Sequence, residues 1–107
     1  MNGNPLQAGS NNSQIEKDLE ELPDKVADAL EKWKITTLDR QRSEAMIYIR
    51  LKGDGTKRTT DEIKAHISVS PDAYNMNLLE IQAEAEYIRL YERLMSAKKL
   101  SGLRTAY

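Results

Sequence analysis

No Gly or Pro interrupts the chain between Pro71 and Gly102, and a stretch of that kind has few ways to fold other than one long helix. Ser70 suits an N-cap, and Pro71 suits the first helical position, where its missing N–H loses no hydrogen bond. Gly102 falls where a left-handed C-terminal cap is expected. Within the stretch Met76, Ala83, Tyr87, Leu90, Leu94 and Ala97 recur at spacings of three, four and seven, so they share one helical face. Ile81, Ile88, Tyr91 and Met95 form a second stripe about 100° further round. A helix docking on one neighbour needs a single stripe. Two stripes imply two partners, one from the same chain and one from another subunit. The surface assigned to the subunit contact is Ile81, Tyr87, Ile88, Leu90, Tyr91, Leu94 and Met95.

Composition sets the limits on the rest. A chain of 107 residues is one domain at most, with a modest core. It has no Phe, one Trp and five Tyr, so that core is aliphatic. A charged fraction of 31% and a mean hydropathy of −0.68 fit long helices with large solvated surfaces. The absence of Cys excludes disulfides, thiolate metal sites and cysteine chemistry, and makes a cytoplasmic setting the natural expectation. The N-terminus has neither the basic region nor the apolar run of a secretory signal, and no apolar run is long enough to span a membrane.

Taken in order, residues 1–14 open with MNGNPLQAGSNNS, a polar stretch rich in Asn and Gly, read as a disordered tail. Residues 15–107 are read as a single helical-hairpin domain. From Ile15 to Glu31 seven carboxylates face two lysines, a net of −5, while Leu19, Leu22, Val26, Leu30 and Trp33 keep an amphipathic spacing. Pro23 is expected to mark a helix start. From Lys32 to Lys64 nine basic residues oppose five acidic ones, a net of +4, and the remainder is balanced. A near-neutral total therefore conceals a polarised chain, the asymmetry that a nucleic-acid contact or a head-to-tail assembly uses.

The helix is expected to continue to Lys52. Its stretch Thr36–Glu44 has Leu38 as its sole apolar residue, so it is either exposed on most sides or lines a polar channel. Gly53-Asp54-Gly55 ends it in a turn. Thr59 with Glu62 fits a capping box for a short helix over about 60–68, and Val69-Ser70-Pro71 breaks that helix from the long one. The resulting fold class is all-α: a long antiparallel helical hairpin with a broken second arm, oligomerising through its C-terminal helix.

Candidate chemistry is sparse. His66, the one histidine, has no second His or Cys near it in the sequence, so surface or packing duty is the default. The Gly53–Arg58 loop has backbone N–H groups and two cations, but it lacks a Walker pattern and reads as a hairpin turn. Glu80, Glu84 and Glu86 lack the Glu-x-x-His partner of a di-metal bundle and read as salt-bridging residues. Trp33 reads as a hydrophobic anchor. No nucleophile, base and orienting group can be assembled. Neither an enzyme, a metal site nor a cofactor is expected.

The acidic opening LEELPDKVADALEKW, the basic IYIRLKGDGTKR, the broken helix TTDEIKAHISVSPDAYNMNLLEIQAEAEYIRLYERL and the ending LSGLRTAY together resemble the UvsY-like recombination mediators of T-even-type phages. That resemblance runs loosely from Ile15 to Tyr107. It implies a ring-like homo-oligomer that binds single-stranded DNA and helps load a recombinase onto strands coated by a single-strand-binding protein, in the host cytoplasm. By that analogy Arg40, Arg42, Arg50, Lys52, Lys57 and Arg58 would carry the DNA. The middle helix is shorter and less basic than that family's pattern, and the pI of about 5.9 is low for a DNA binder.

Physical chemistry gives the analogy a rationale. Single-strand binding needs cations that track phosphates and flat groups for bases, and Tyr48 lies among the basic residues. One patch binds weakly, and repeating it around an oligomer multiplies it. The rival class is a structural or assembly protein, scaffold-like or chaperone-like, without nucleic-acid binding, in which charge polarity serves subunit docking.

Overall fold

The structure, a computed structural model, describes the backbone of residues 5–106 and the side chains of residues 13–103. It is an all-α helical hairpin. Helix α1 runs Pro5–Gly53, α2 is Thr60–Ser68 and α3 is Pro71–Ala106, with no strand among the described residues.

The reversal after α1 is built from local chemistry. Gly55 takes φ +84, a left-handed backbone that favours glycine. The Asp54 carboxylate accepts the Thr56 N–H at 3.0 Å. The Arg58 guanidinium donates to that same carboxylate at 2.7 Å and to the Leu51 carbonyl at 2.8 Å, satisfying an orphan carbonyl of the last turn of α1. Thr59 caps α2 as its sequence foretells, its hydroxyl accepting the Glu62 N–H at 3.1 Å. Two residues, Val69 and Ser70, then separate α2 from α3, with the Ser70 carbonyl accepting the Tyr74 N–H at 2.9 Å.

Helix α1 begins at Pro5, within the stretch 1–14 read as a tail, and the first four residues lie outside the described ones. Pro5 starts a helix well, and extending an existing helix needs no new nucleus. Two positions differ from the sequence reading, Pro23 and Gly102. Pro23 lies inside α1 and starts nothing. An interior proline costs about 3 kcal/mol, and burial of the adjacent Leu22, 1% exposed, offsets that loss. Gly102 caps nothing, because α3 continues to Ala106.

The chain groups into two compact units. The first joins α1 up to Leu30 with α3 from Glu86 on, and the second is Glu31–Ala85. In the first unit α1 turns Ile15, Leu19, Leu22, Val26 and Ala29 inward, and α3 turns Tyr87, Leu90, Leu94 and Ala97 inward. These spacings of three and four are those of a coiled-coil seam. Leu22, Ala29, Leu94 and Ala97 are buried, the two alanines letting the helices approach closely. At the rim the Arg93 guanidinium grips Asp18 with two hydrogen bonds, of 2.7 and 3.3 Å.

The second unit keeps the same spacing with different residues. Trp33, Thr36, Arg40, Ser43, Ile47 and Leu51 face inward from α1, and Ala73, Met76, Glu80 and Ala83 from α3. Polar groups thus occupy the middle of the seam. The buried apolar set is Ile47, Ala73 and Ala83 with Ile63 from α2, and Ile63 is 0% exposed. The short helix supplies the bulk that the polar stretch withholds.

Candidate nucleic-acid and assembly surfaces

The seven positions expected to hold DNA all lie in the second unit, and the fold divides them. Arg40 points into the seam. Its Nε donates to Glu80 at 2.8 Å and its Nη1 to Glu44 at 3.1 Å. Those two carboxylates, Glu80 foremost, hold the guanidinium above its ordinary pKa. Glu80 is in turn held below the usual carboxylate value, first by the Thr37 hydroxyl and then by Arg40. That hydroxyl has one proton to give and lies also 3.0 Å from the Trp33 carbonyl, so the two acceptors share it. Arg58 is the turn staple described above, and it depresses the Asp54 pKa. Arg40 and Arg58 are thus both engaged within the hairpin.

Arg42, Arg50, Lys52 and Lys57 remain exposed. The Lys52 ammonium sits 5.8 Å from the centroid of the Tyr48 ring, a cation–π distance. Arg42 and Arg50 border an open groove of about 470 Å³ whose floor includes Met46, Ile47 and Met76. Asp39 and Asp72 border the same groove, so its charge is balanced.

The residues assigned to subunit contact divide too. Leu94 belongs to the buried core of the first unit, and Tyr87, Leu90 and Met95 are half-buried. The helix presents Leu94 to its own chain, where it is 6% exposed. Ile81 at 54%, Ile88 at 42% and Tyr91 at 43% exposure do point outward. The Tyr91 ring packs tilted against Tyr87 at 5.9 Å between centroids.

Further apolar side chains are exposed outside the surface assigned to subunit contact. On α1 Ile35, Leu38, Met46 and Ile49 are all about half exposed or more, and on α3 Tyr74, Leu78 and Leu79 join Ile81. The α1 set was hidden by its polar neighbours. Its spacing of three, eight and three becomes readable once Thr36, Arg40 and Ser43 are known to face α3.

Among the described residues no group of three His, Cys, Asp or Glu side chains could hold a metal ion, and no helix is long and apolar enough to cross a membrane. His66 is exposed on α2 beside Glu62, Ala65 and Val69. Compared with known families, curated proteins and solved structures, this all-α hairpin matches none of them.

Proposed function

We propose that this chain is a helical assembly protein whose hairpin associates with further helices, its own copies first. One observation carries the reading. Among the described residues 14 large apolar side chains are exposed, against eight buried apolar residues of which four are alanine. Single exposed apolar residues are ordinary on any surface. Here they form helical stripes, Ile35–Leu38–Met46–Ile49 on α1 and Tyr74–Leu78–Ile81 on α3 in the second unit, with Ile88 and Tyr91 on α3 in the first. Ordered apolar faces of that kind mark interaction surfaces. A hairpin core built on alanine also gains from a partner's burial. Sedimentation velocity across a micromolar concentration series tests this, with reversible association the expected result and a monomer at every concentration the contrary one.

Single-strand binding is the second reading, favoured by the exposed Arg42, Arg50, Lys52 and Lys57 near Tyr48 and by the resemblance to UvsY-like mediators. With Arg40 and Arg58 engaged internally, four cations per subunit remain, a weak site that would depend on assembly for avidity. Fluorescence anisotropy with labelled single-stranded DNA tests it. Binding that weakens with salt and with Ala at those four positions would support it. Absence of binding at low salt would end it.

A further inference from the structure

We infer that the exposed face of α1 in the second unit is a twofold-symmetric docking surface for a second copy of the same chain, the two α1 segments running antiparallel across an axis at Arg42. This rests on the assembly reading and names its interface. The face reads Ile35, Leu38, Arg42, Met46, Ile49. Leu38 and Met46 stand four residues either side of Arg42, and Ile35 and Ile49 stand seven either side. An antiparallel pair related by a twofold axis sets residue 42−n against residue 42+n of the other copy. Ile35 then covers the partner's Ile49, and Leu38 covers the partner's Met46, each twice.

This symmetry is what an isologous contact demands, since one patch must complement itself. Spacings of four and seven keep all five residues on one face over about 21 Å of helix. The face is open. Leu38 is 63%, Met46 61% and Ile49 68% exposed, and residues of α2 border the groove at Arg40 and Glu44 rather than the one beside Met46.

Charge argues for a second copy over an acidic or a basic stranger. Arg42 stands at the axis and Asp39 one helical turn before it, so each guanidinium has the other chain's Asp39 within a turn. A single-sign partner would leave one of the two unmatched. The exposed apolar residues of α3 in this unit, Tyr74, Leu78, Leu79 and Ile81, are the alternative face, which the Ile81→Glu variant below tests.

The chain has no Cys, so introduced thiols report unambiguously. Ile35→Cys and Ile49→Cys variants are oxidised separately and mixed, and Arg42→Cys is oxidised alone. Antiparallel docking gives disulfide dimers from the mixture and from Arg42→Cys, with little from either end variant alone. In parallel, sedimentation of Leu38→Glu, with helicity checked by circular dichroism, is expected to show association weakened about tenfold or more. Arg42→Asp, which sets a carboxylate beside the partner's Asp39, weakens it as well. Ile81→Glu leaves it unchanged. End variants that cross-link alone, or association that survives Leu38→Glu and fails in Ile81→Glu, would overturn this interface while leaving the assembly reading intact. A wild-type chain that is monomeric throughout would overturn both.

Discussion

The two units solve the same packing problem with different chemistry. Both bring α1 and α3 together on spacings of three and four, and each has an ion pair between the helices among the described residues. In the first unit the seam is apolar, closed by Leu22, Ala29, Leu94 and Ala97, and the Asp18–Arg93 pair sits at the rim, with Arg93 52% exposed. In the second the Arg40–Glu80 pair lies within the seam, its side chains 23% and 15% exposed, and α2 adds Ile63 to a thin core. A seam of aliphatics holds two helices together without fixing their register. A charged pair in the seam fixes register and costs desolvation, so that unit needs a third helix. The lesson is that the polar stretch of α1 and the existence of α2 belong together.

The strongest way to break the comparison is Ile63→Ala. Truncating a fully buried isoleucine is expected to cost about 2–5 kcal/mol. Hydrogen exchange should show protection lost in residues 31–85 well before the first unit. Equal loss in both would mean that they unfold as one block.

Next comes the seam pair. Glu80→Leu alone leaves Arg40 facing apolar surface and is expected to destabilise by about 1–3 kcal/mol in denaturant unfolding. Adding Arg40→Leu should recover most of that loss, because an apolar pair needs no desolvation. No recovery would mean that Glu44 satisfies Arg40 unaided.

Acid sharpens the comparison further. Asp18, held down chiefly by Arg93, and Glu80, held down first by Thr37 and then by Arg40, both have folded-state pKa values below the ordinary 3.8 and 4.5. A lowered carboxylate pKa contributes stability in full above the unfolded value, and that contribution is lost as pH falls through the folded one. Thermal stability should therefore decline from about pH 4.5 downward. Added salt at neutral pH should erase the contribution of the rim pair at Asp18 sooner than that of the seam pair at Glu80. Asp18→Asn and Glu80→Gln, melted at low and high salt, separate the two.

The smallest effect lies in the first unit. Gly102 is helical, without positive φ, and a Cβ there would meet nothing within 4 Å. Gly102→Ala is expected to raise stability by about 0.5–1 kcal/mol, read from the denaturation midpoint. A loss would mean that the glycine serves a contact of its own.

Much of this fold is legible in the sequence because it is local chemistry. The Thr59 cap, the Gly55 turn and the Ser70–Pro71 start depend on residues within four positions of one another. The register is not local. Arg40 and Glu80 are 40 residues apart, and nothing near either one announces the other. Without that register Arg40 passes for a free cation and Leu38 for a stray apolar residue. Pro23 misleads for a related reason: its local penalty is real, and the burial of Leu22 that outweighs it depends on the other arm of the hairpin.

Sedimentation velocity of the full chain over a micromolar concentration range tests the central claim most directly. The account predicts a reversible shift from monomer toward dimer or larger species, weakened about tenfold or more by Leu38→Glu without loss of helicity. A monomer unchanged up to the highest concentration would mean that the exposed stripes on α1 and α3 bind no second copy, and would contradict it.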